Sequence, residues 1–445
     1  MIKEKEIGNN MFTLLSRPKD NVKQSAWPLW AYGLGLMVMP DNLALASQFA
    51  GQLGIFAPLI LAVSVLIFFS FVRCYANLNP IYGSTDSQEK EGPNYLGTWL
   101  VYYPLVIRFF AAILLATGLT VSSGFVFNEV FVYWFPNFAF AFMLLAGMGG
   151  LQLLRKTHRS RAQLVFVSTV LLGLAILVVT GLITGLFQDR VRAIEAHQVT
   201  ISGLFLPLLL LLGFDIGIYP GDNSLAPPPE STKILKRAIA VFAGFLIFWV
   251  MTALLHVDGL RLANTSIAHL ISAREIGGQA GRVIMGVMII AGSCAAVNAL
   301  FEGVVRLTQH FSRKGMLPQM NLLPKASVLV MTAVAAFLMT SGLAGEELLE
   351  SLIRVTLLMW LGHYGLITAK NLLGMCQKSG SDQGVVHGQN RFQLMATAII
   401  TFGGILVLVL TGDQPMLMVA IMIVTICAVL IAGGIYTTLR PSRSG

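Results

Sequence analysis

The amino-acid sequence predicts an all-α integral membrane protein with about twelve transmembrane helices. Of its 445 residues, 56% are hydrophobic and only 11% are charged, whereas an ordinary soluble protein carries about 25% charged residues. A helix that crosses a bilayer needs about 20 mostly apolar residues, and the apolar runs here are long and continuous. These observations exclude an ordinary soluble protein, a nucleic-acid-binding protein and a transmembrane β-barrel, whose strands would alternate between apolar and polar residues.

Twelve apolar runs of spanning length follow one another along the chain, and the loops between them are too short to fold as domains. We therefore expect one transmembrane domain over residues 28–440, between a cytoplasmic segment of residues 1–27 and a tail of residues 441–445. The predicted spans cover residues 28–49, 53–73, 101–126, 135–154, 162–187, 201–220, 237–256, 282–305, 327–344, 350–373, 393–411 and 415–437.

The distribution of basic residues predicts the orientation. With the N-terminus inside, 23 of the 30 Lys and Arg residues fall on the cytoplasmic side and six on the opposite side. Short cytoplasmic loops are enriched in Lys and Arg. We therefore predict a multi-pass protein of the cytoplasmic membrane, embedded in the lipid bilayer, with both termini in the cytoplasm.

Motifs of enzymes and of metal or cofactor sites are missing from the sequence. It has no His-Glu-x-x-His, no Gly-x-Ser-x-Gly and no Walker loop, and these motifs place zinc ligands, a nucleophile or a phosphate-binding loop. We predict no catalytic residue, no cofactor and no bound metal. His363 in the tenth span leaves two interpretations open, a hydrogen-bonded core residue and a proton carrier.

Two of the predicted spans contain glycine and proline residues that would interrupt a membrane helix, at residues 33–42 and 213–220. Backbone groups freed by such a break are tolerated in a membrane only where they line a polar cavity or are buried in protein. A pair of breaks at corresponding positions of two halves indicates a transporter site. Glycines in membrane helices also serve close helix packing, which is the alternative.

Several ionisable residues lie within the predicted spans, where a charge is costly unless it meets water or a partner. Asp41 and Asp215 flank the two breaks. Glu302, late in the eighth span, is expected to pair with Arg306 four residues later. Arg108 lies inside the third span, where it could extend to the headgroups or pair inside the bundle.

Five motifs, in order along the chain, resemble those of the amino acid, polyamine and organocation (APC) transporter superfamily. The first-span pattern Gly33-x-Gly35-x-x-x-x-Pro40 resembles the family's Gly-Ser-Gly-Ile-Phe-x-x-Pro, and the resemblance covers roughly residues 28–440. The other similar stretches are Tyr75-Ala76-Asn77-Leu78-Asn79-Pro80 with Gly97-x-Trp99, Gly213-Phe214-Asp215, Lys236-Arg237-Ala238-Ile239, and Asn298-x-x-Phe301-x-Gly303-x-x-Arg306 with Arg313-x-Gly315-x-Leu317-Pro318.

The resemblance implies a LeuT-type fold, in which helices 1–5 and 6–10 form inverted repeats around a central site and two helices are added. It also implies that amides at the helix-1 break bind a substrate carboxylate and that carbonyls at the helix-6 break bind its ammonium. A half-helix N-terminus carries a partial positive charge that suits a carboxylate. The implied substrate-binding residues are Gly33, Gly35, Leu36, Leu209, Leu210, Leu212, Gly213 and Phe214.

The coupling or gating candidates are Asp41, Asp215, Ser293 and Phe205. Sodium-coupled members of the family use helix-8 hydroxyls, and here Ser293 has no neighbouring Ser or Thr. A proton is therefore favoured over sodium as the coupling ion. Leucines occupy the helix-6 stretch where members often carry a gating aromatic residue, so Phe205 or Phe214 would have to replace it.

The sequence thus predicts a secondary active transporter that moves an amino acid or a related small amine-bearing solute by alternating access. Two alternatives stay open. One is an amine or polyamine carrier or exchanger. The other is a non-transporting membrane receptor or accessory subunit with the same fold. The expected partners are a small-molecule solute and a coupling ion, and no nucleic acid.

Overall fold

A computed structural model of the protein describes residues 26–83, 95–187, 200–218, 229–313, 323–342, 346–377, 391–412 and 414–439. Every predicted span contains a helical segment. The helices are α1a (Ala26–Gly35), α1b (Pro40–Leu53), α2 (Ala57–Gly83), α3 (Tyr95–Val130), α4 (Asn137–Leu153), α5 (Lys156–Phe187), α6a (Ile201–Phe205 and Pro207–Leu210), the 3₁₀ segment α6b (Phe214–Ile218), α7 (Pro229–His256), α8 (279–313, the second part of the kinked helix Ala268–Arg313), α9 (Leu323–Thr340), α10 (Glu346–Gln377), α11 (Arg391–Leu410) and α12 (Pro415–Leu439).

The described helices have the length and apolar composition of a multi-pass membrane protein. Seven helical segments of the described chain are long and apolar enough to cross a bilayer, and four shorter apolar helices accompany them. The segments of α8 and α10 are the most buried of the seven, whereas α11 is largely exposed. The two buried helices therefore lie in the centre of the bundle, and α11 lies at its periphery.

The first and sixth helices are interrupted, as predicted. The proline that starts α1b, Pro40, has no N–H group, so it fits only the first turn of a helix. Between α1a and α1b a turn is closed by the amide of Val38, which donates to the carbonyl of Leu34 at 3.0 Å. In the sixth helix Gly213 has φ +89°, a left-handed conformation that residues with a Cβ atom rarely adopt. Helix 6 therefore ends at Leu210 and resumes at Phe214.

Helices from both halves of the chain surround the interruptions. α1a contacts α6b, α5 and α7, while α8 packs along α5 and α3, and α10 packs along α3 and α11. The buried apolar side chains of these helices form one large core cluster. The interrupted segments consequently lie inside the bundle, where the freed backbone groups meet protein rather than lipid.

A loop helix that the sequence did not predict, Gly259–Ala263, covers α1b at the end of the bundle where α1b stops. It approaches closely because Gly51 of α1b has no side chain: a Cβ atom there would lie 2.5 Å from the amide nitrogen of Ala263. Gln48, one turn earlier, donates to the carbonyl of Thr265 at 3.0 Å. The outer surface of α1b is therefore fixed against this loop.

The close contact at Gly51 predicts that Gly51→Ala lowers the melting temperature of the purified protein. The added methyl group must displace the backbone of the loop helix, and overpacking of this kind costs about 1–3 kcal/mol. Gly147→Ala is the matched control, because nothing lies within 4 Å of a Cβ atom at Gly147 of α4. Equal melting temperatures for the two variants in a detergent unfolding assay would contradict the packing described here.

Candidate functional site

The two helix interruptions contact each other, and glycine makes this approach possible. A Cβ atom on Gly33 would lie 3.2 Å from the carbonyl oxygen of Phe214, and one on Gly213 would lie 2.7 Å from Cγ of Leu36. A larger residue at either glycine would push the segments apart. Four of the predicted substrate-binding residues, Gly33, Leu36, Gly213 and Phe214, are therefore brought together.

Asn42, in the first turn of α1b, joins the two interruptions by hydrogen bonds. Its fully buried side-chain amide donates to the carbonyl of Met37 at 2.8 Å and to the carbonyl of Leu210 at 3.0 Å. An unpaired carbonyl inside a membrane protein costs several kcal/mol. Asn42 was not among the predicted site residues, although a polar amide within an apolar run was a usable signal.

The remaining predicted substrate-binding residues occupy different surroundings. Gly35 is the last residue of α1a. It faces α8, because a Cβ atom on Gly35 would lie 2.9 Å from Cβ of Ala299. The Leu210 carbonyl already accepts a hydrogen bond from Asn42. Leu209 lines a cavity, and Leu212 is fully buried.

The carboxylate of Asp215 is the centre of a buried polar network just beyond the helix-6 interruption. Its Oδ2 atom accepts from Arg108 Nη1 at 2.5 Å and from the Tyr75 hydroxyl at 2.8 Å. Its Oδ1 atom accepts from the Tyr364 hydroxyl at 2.6 Å and from Trp360 Nε1 at 3.4 Å. α2, α3, α6b and α10 thus converge on one carboxylate.

Arg108 pairs inside the bundle, which decides between the two possibilities left open by the sequence. Its side chain is 3% exposed and that of Asp215 is 0% exposed, and its guanidinium lies 5.1 Å from the ring centre of Trp360. The cation also faces an aromatic ring, an arrangement that is favourable in a desolvated site. The sequence shows both charges within predicted spans but does not show that they pair.

The Asp215 network is linked directly to the helix-6 interruption and to His363. The backbone amide of Gly213 donates to the Tyr364 hydroxyl at 3.0 Å, and that hydroxyl donates to Asp215. His363 is fully buried, and its Nε2 atom lies 2.5 Å from the Tyr75 hydroxyl oxygen. His363 is therefore hydrogen-bonded, as one of its two sequence interpretations requires.

A second polar network joins α1a, α4, α5 and α8 nearer the end of the bundle where α1a begins; we call it the closed-end network. Glu302 pairs with Arg306 at 2.9 Å, as predicted, and with Arg159 of α5 at 3.0 Å. The chain of side-chain hydrogen bonds continues from Arg159 to Gln152, then to Asn298 and Gln163, and ends at the carbonyl of Ala31.

A cavity of about 480 Å³ opens at the opposite end, where α1b stops and α10 begins. Its lining is polar near the mouth, with Glu350 and Arg354 of α10, and becomes apolar at Leu209 of α6a and Leu358 of α10. Glu350 and Arg354 pair at 2.6 Å. The cavity therefore leads from the surface to the stretch of helix 6 that precedes its interruption.

The coupling and gating candidates other than Asp215 do not converge on one point. Ser293 is fully buried, and none of the described residues forms a hydrogen bond with its Oγ atom. Phe205 packs against α11, where a Cβ atom on Gly404 would lie 2.8 Å from its ring. Phe214 is buried among aromatic rings of α2 and α10. Asp41 lies in the first turn of α1b, and its Oδ2 atom is buried without a hydrogen bond to the described residues.

No protein-family model matches the sequence, and no curated protein matches it. Solved structures match nearly the whole chain. The manganese transporter of Eremococcus coleocola, crystallised with an aromatic bis-isothiourea substituted compound, has a TM-score of 0.58 over 95% of this chain and 96% of that chain, at 12% identity. A mutant of that transporter has a TM-score of 0.56 at 13% sequence identity, and the match covers 93% of this chain and 94% of the mutant's chain. The fold is of the LeuT type.

This similarity extends over both repeats and both interrupted helices, so the chain is a multi-pass membrane protein with a transporter fold. At 12–13% identity it shows the fold and leaves the substrate open. The resemblance of the motifs to the APC superfamily stays a prediction, because many transporter families share one fold.

The buried pair predicts that Asp215→Asn destabilises the protein by about 3–5 kcal/mol, because it leaves the Arg108 guanidinium buried without its anion. The double variant Arg108→Met with Asp215→Asn should lose less than the sum of the two single losses. Glu275→Gln is the control, since it breaks an exposed pair with Arg261 and should cost at most about 1 kcal/mol. Strictly additive losses in detergent unfolding experiments would show that the two groups do not interact.

Proposed function

We propose that the protein is a secondary active transporter that moves an amino acid or a related small amine-bearing solute by alternating access, coupled to protons. The observation that carries this proposal is the contact between the two interrupted helices, together with a cavity open to one side of the bundle that reaches Leu209, just before the helix-6 interruption. Interrupted helices at the repeat interface are where secondary transporters bind solute. The cavity volume of about 480 Å³ lies in the usual range for small-molecule sites, about 300–1,000 Å³.

The chemistry around the interruptions favours a solute that carries an ammonium group. The Asn42 amide nitrogen already bridges two backbone carbonyls, so the interruptions offer acceptors at a spacing that suits N–H donors. Asp41 places a carboxylate at the start of α1b, and Glu350, which lines the cavity, lies within electrostatic range of it. Arg354 beside Glu350 supplies a cation at the cavity mouth for a carboxylate.

Alternating access requires one closed end, and the closed-end network supports this role. It joins α1a to α5 and α8 through Gln163, whose amide donates to the carbonyl of Ala31 at 3.2 Å. The Arg306 guanidinium also lies 5.5 Å from the ring centre of Tyr32 in α1a. Opening this end would have to break these contacts. With the predicted orientation, the closed end faces the cytoplasm and the cavity faces outward.

A divalent metal ion is the second candidate solute. The similar solved structures are of a manganese transporter, and Asp41 Oδ2 and Asn42 Oδ1 are buried oxygen atoms without a hydrogen bond to the described residues. Divalent ions take several oxygen ligands. Within the described part of the chain, however, no group of three or more His, Cys, Asp or Glu residues could hold a metal ion. We therefore favour the amine.

Uptake of labelled solutes into proteoliposomes tests the proposed function. We expect an amino acid or amine both to raise the melting temperature of the purified protein and to accumulate when a pH gradient is imposed in sodium-free buffer. Accumulation that needs sodium at constant pH would refute proton coupling. Flux of Mn²⁺ without flux of any amine would favour the metal candidate. A thermal shift without any flux would favour a receptor or accessory subunit.

The variant Asp41→Asn tests whether the Asp41 carboxylate attracts the solute or only stabilises the start of α1b. If Asp41 attracts the ammonium group, we expect the Asn variant to bind a cationic solute at least about tenfold more weakly, the equivalent of 1.4 kcal/mol, while its melting temperature changes little. If the carboxylate only stabilises the N-terminus of α1b, stability falls by about 0.3–1 kcal/mol and affinity is unchanged. Titration calorimetry with the solute identified by uptake distinguishes the two results.

A further inference from the structure

The position of His363 within the Asp215 network assigns it a role beyond core packing. Its Nε2 atom lies 2.5 Å from the Tyr75 hydroxyl oxygen and 3.9 Å from Asp215 Oδ2. The same hydroxyl lies 2.8 Å from Asp215 Oδ2. Tyr75 therefore stands between an imidazole and an ionised carboxylate, and both contacts are of hydrogen-bond length.

The hydrogen atoms available to Tyr75 and Asp215 determine which ring nitrogen of His363 carries a hydrogen. A tyrosine hydroxyl has one hydrogen, whereas an ionised carboxylate can only accept. The Tyr75 hydrogen is therefore donated to Asp215, and the short contact with His363 requires a hydrogen on Nε2 of the imidazole. In this arrangement a second proton makes the ring an imidazolium without breaking either hydrogen bond.

A proton on His363 changes the charge balance around Asp215. The pair formed by Arg108 and Asp215 has no net charge, and an imidazolium adds a second cation that faces the same Oδ2 atom. In a desolvated site such charges interact strongly. The guanidinium and the imidazolium would then repel each other beside one carboxylate, which weakens the contact that holds α3 to α6b.

Tyr364 links the Asp215 carboxylate to the helix-6 interruption. Tyr364 accepts from the Gly213 amide and donates to the other carboxylate oxygen of Asp215. The network also lies just beyond the apolar end of the cavity. Leu358, which lines the cavity, is five residues before His363 on α10, about 7.5 Å along the helix.

We propose that His363 takes up and releases the coupling proton, with Asp215, Arg108 and Tyr75 as the positioning residues around it. This inference rests on the proposed proton-coupled transport. Protonation of His363 loosens the pair of Arg108 and Asp215 and frees α6b to move relative to α3. Solute bound at the interruption and a proton bound at His363 thereby act on the same segment of helix 6.

The other charged groups near this site are few among the described residues. The groups that face the imidazole are Tyr75 from α2 and Asp215 from α6b, together with Tyr364 on α10 itself. Arg108 from α3 contacts the same Asp215 oxygen atom that faces the imidazole. The nearest further charges along α10 are Arg354 and Lys370, nine residues before and seven residues after His363. The described part of α12 has no acidic or basic residue, and α11 has only Arg391 at its first turn.

Tryptophan fluorescence of the purified protein tests proton binding without any solute. Trp360 Nε1 lies 3.4 Å from Asp215 Oδ1, and Arg108 lies over its ring, so its emission should respond to the charge on His363. We expect this emission to change in one transition as the pH of the buffer is varied. The transition should be absent in His363→Gln, which keeps an N–H donor, and in Trp360→Phe.

His256→Gln is the matched control for this titration. His256 is also buried in a helix and hydrogen-bonded, through Nε2 to Thr184 Oγ1 at 2.9 Å and through Nδ1 to the carbonyl of Thr252 at 3.0 Å. It lies on α7, outside the Asp215 network, so its variant should keep the transition. A transition that persists in His363→Gln, or that is lost only in His256→Gln, would overturn the assignment.

Transport measurements then test coupling. A gradient of one pH unit can drive about tenfold accumulation when one proton accompanies one solute. His363→Gln should lose this accumulation and keep exchange of labelled for unlabelled solute, whereas His256→Gln should keep both. Wild-type accumulation in His363→Gln would overturn the proposal. If the wild-type protein carries no amine or amino acid, the proposed function fails, and the fluorescence titration still decides whether His363 binds the proton.

Discussion

The carboxylate of Asp215 is the constraint on which the centre of the bundle depends. A charge removed from both water and lipid headgroups needs an opposite charge and hydrogen bonds in place, since the desolvation cost otherwise exceeds the attraction. The protein satisfies this requirement with Arg108, Tyr75, Tyr364 and Trp360. These donors come from α2, α3 and α10, so the positions of three helices relative to α6b follow from one carboxylate.

The interrupted helices impose a second requirement, because backbone groups released inside a membrane must find partners within the protein. Asn42 satisfies the carbonyls of Met37 and Leu210, and Tyr364 accepts from the amide of Gly213. These are side chains of α1b and α10. The groups that stabilise the interruptions therefore also connect them to the rest of the bundle.

The two ends of the bundle differ in structure. At one end the cavity leads to Leu209 and Leu358, and at the other the closed-end network ties α1a to α5 and α8. The fold is shared with a manganese transporter, yet the side chains at the interruptions are mostly leucine and glycine with few carboxylates. Because one fold serves many functions, the chemistry of the site depends on these side chains rather than on the fold.

The sequence alone determined the membrane class, the helical character of each predicted span and both interruptions, because long apolar runs, glycine and Pro40 act locally on the backbone. It also determined the pair of Glu302 and Arg306, which one turn of helix brings together. It did not show that Arg108 pairs with Asp215, which lies 107 positions later in the chain. It also did not predict the hydrogen bonds of Asn42 or the loop helix that packs on Gly51. Those contacts exist only between helices that are distant in sequence, and the packing of the two repeats decides which buried charge meets which partner.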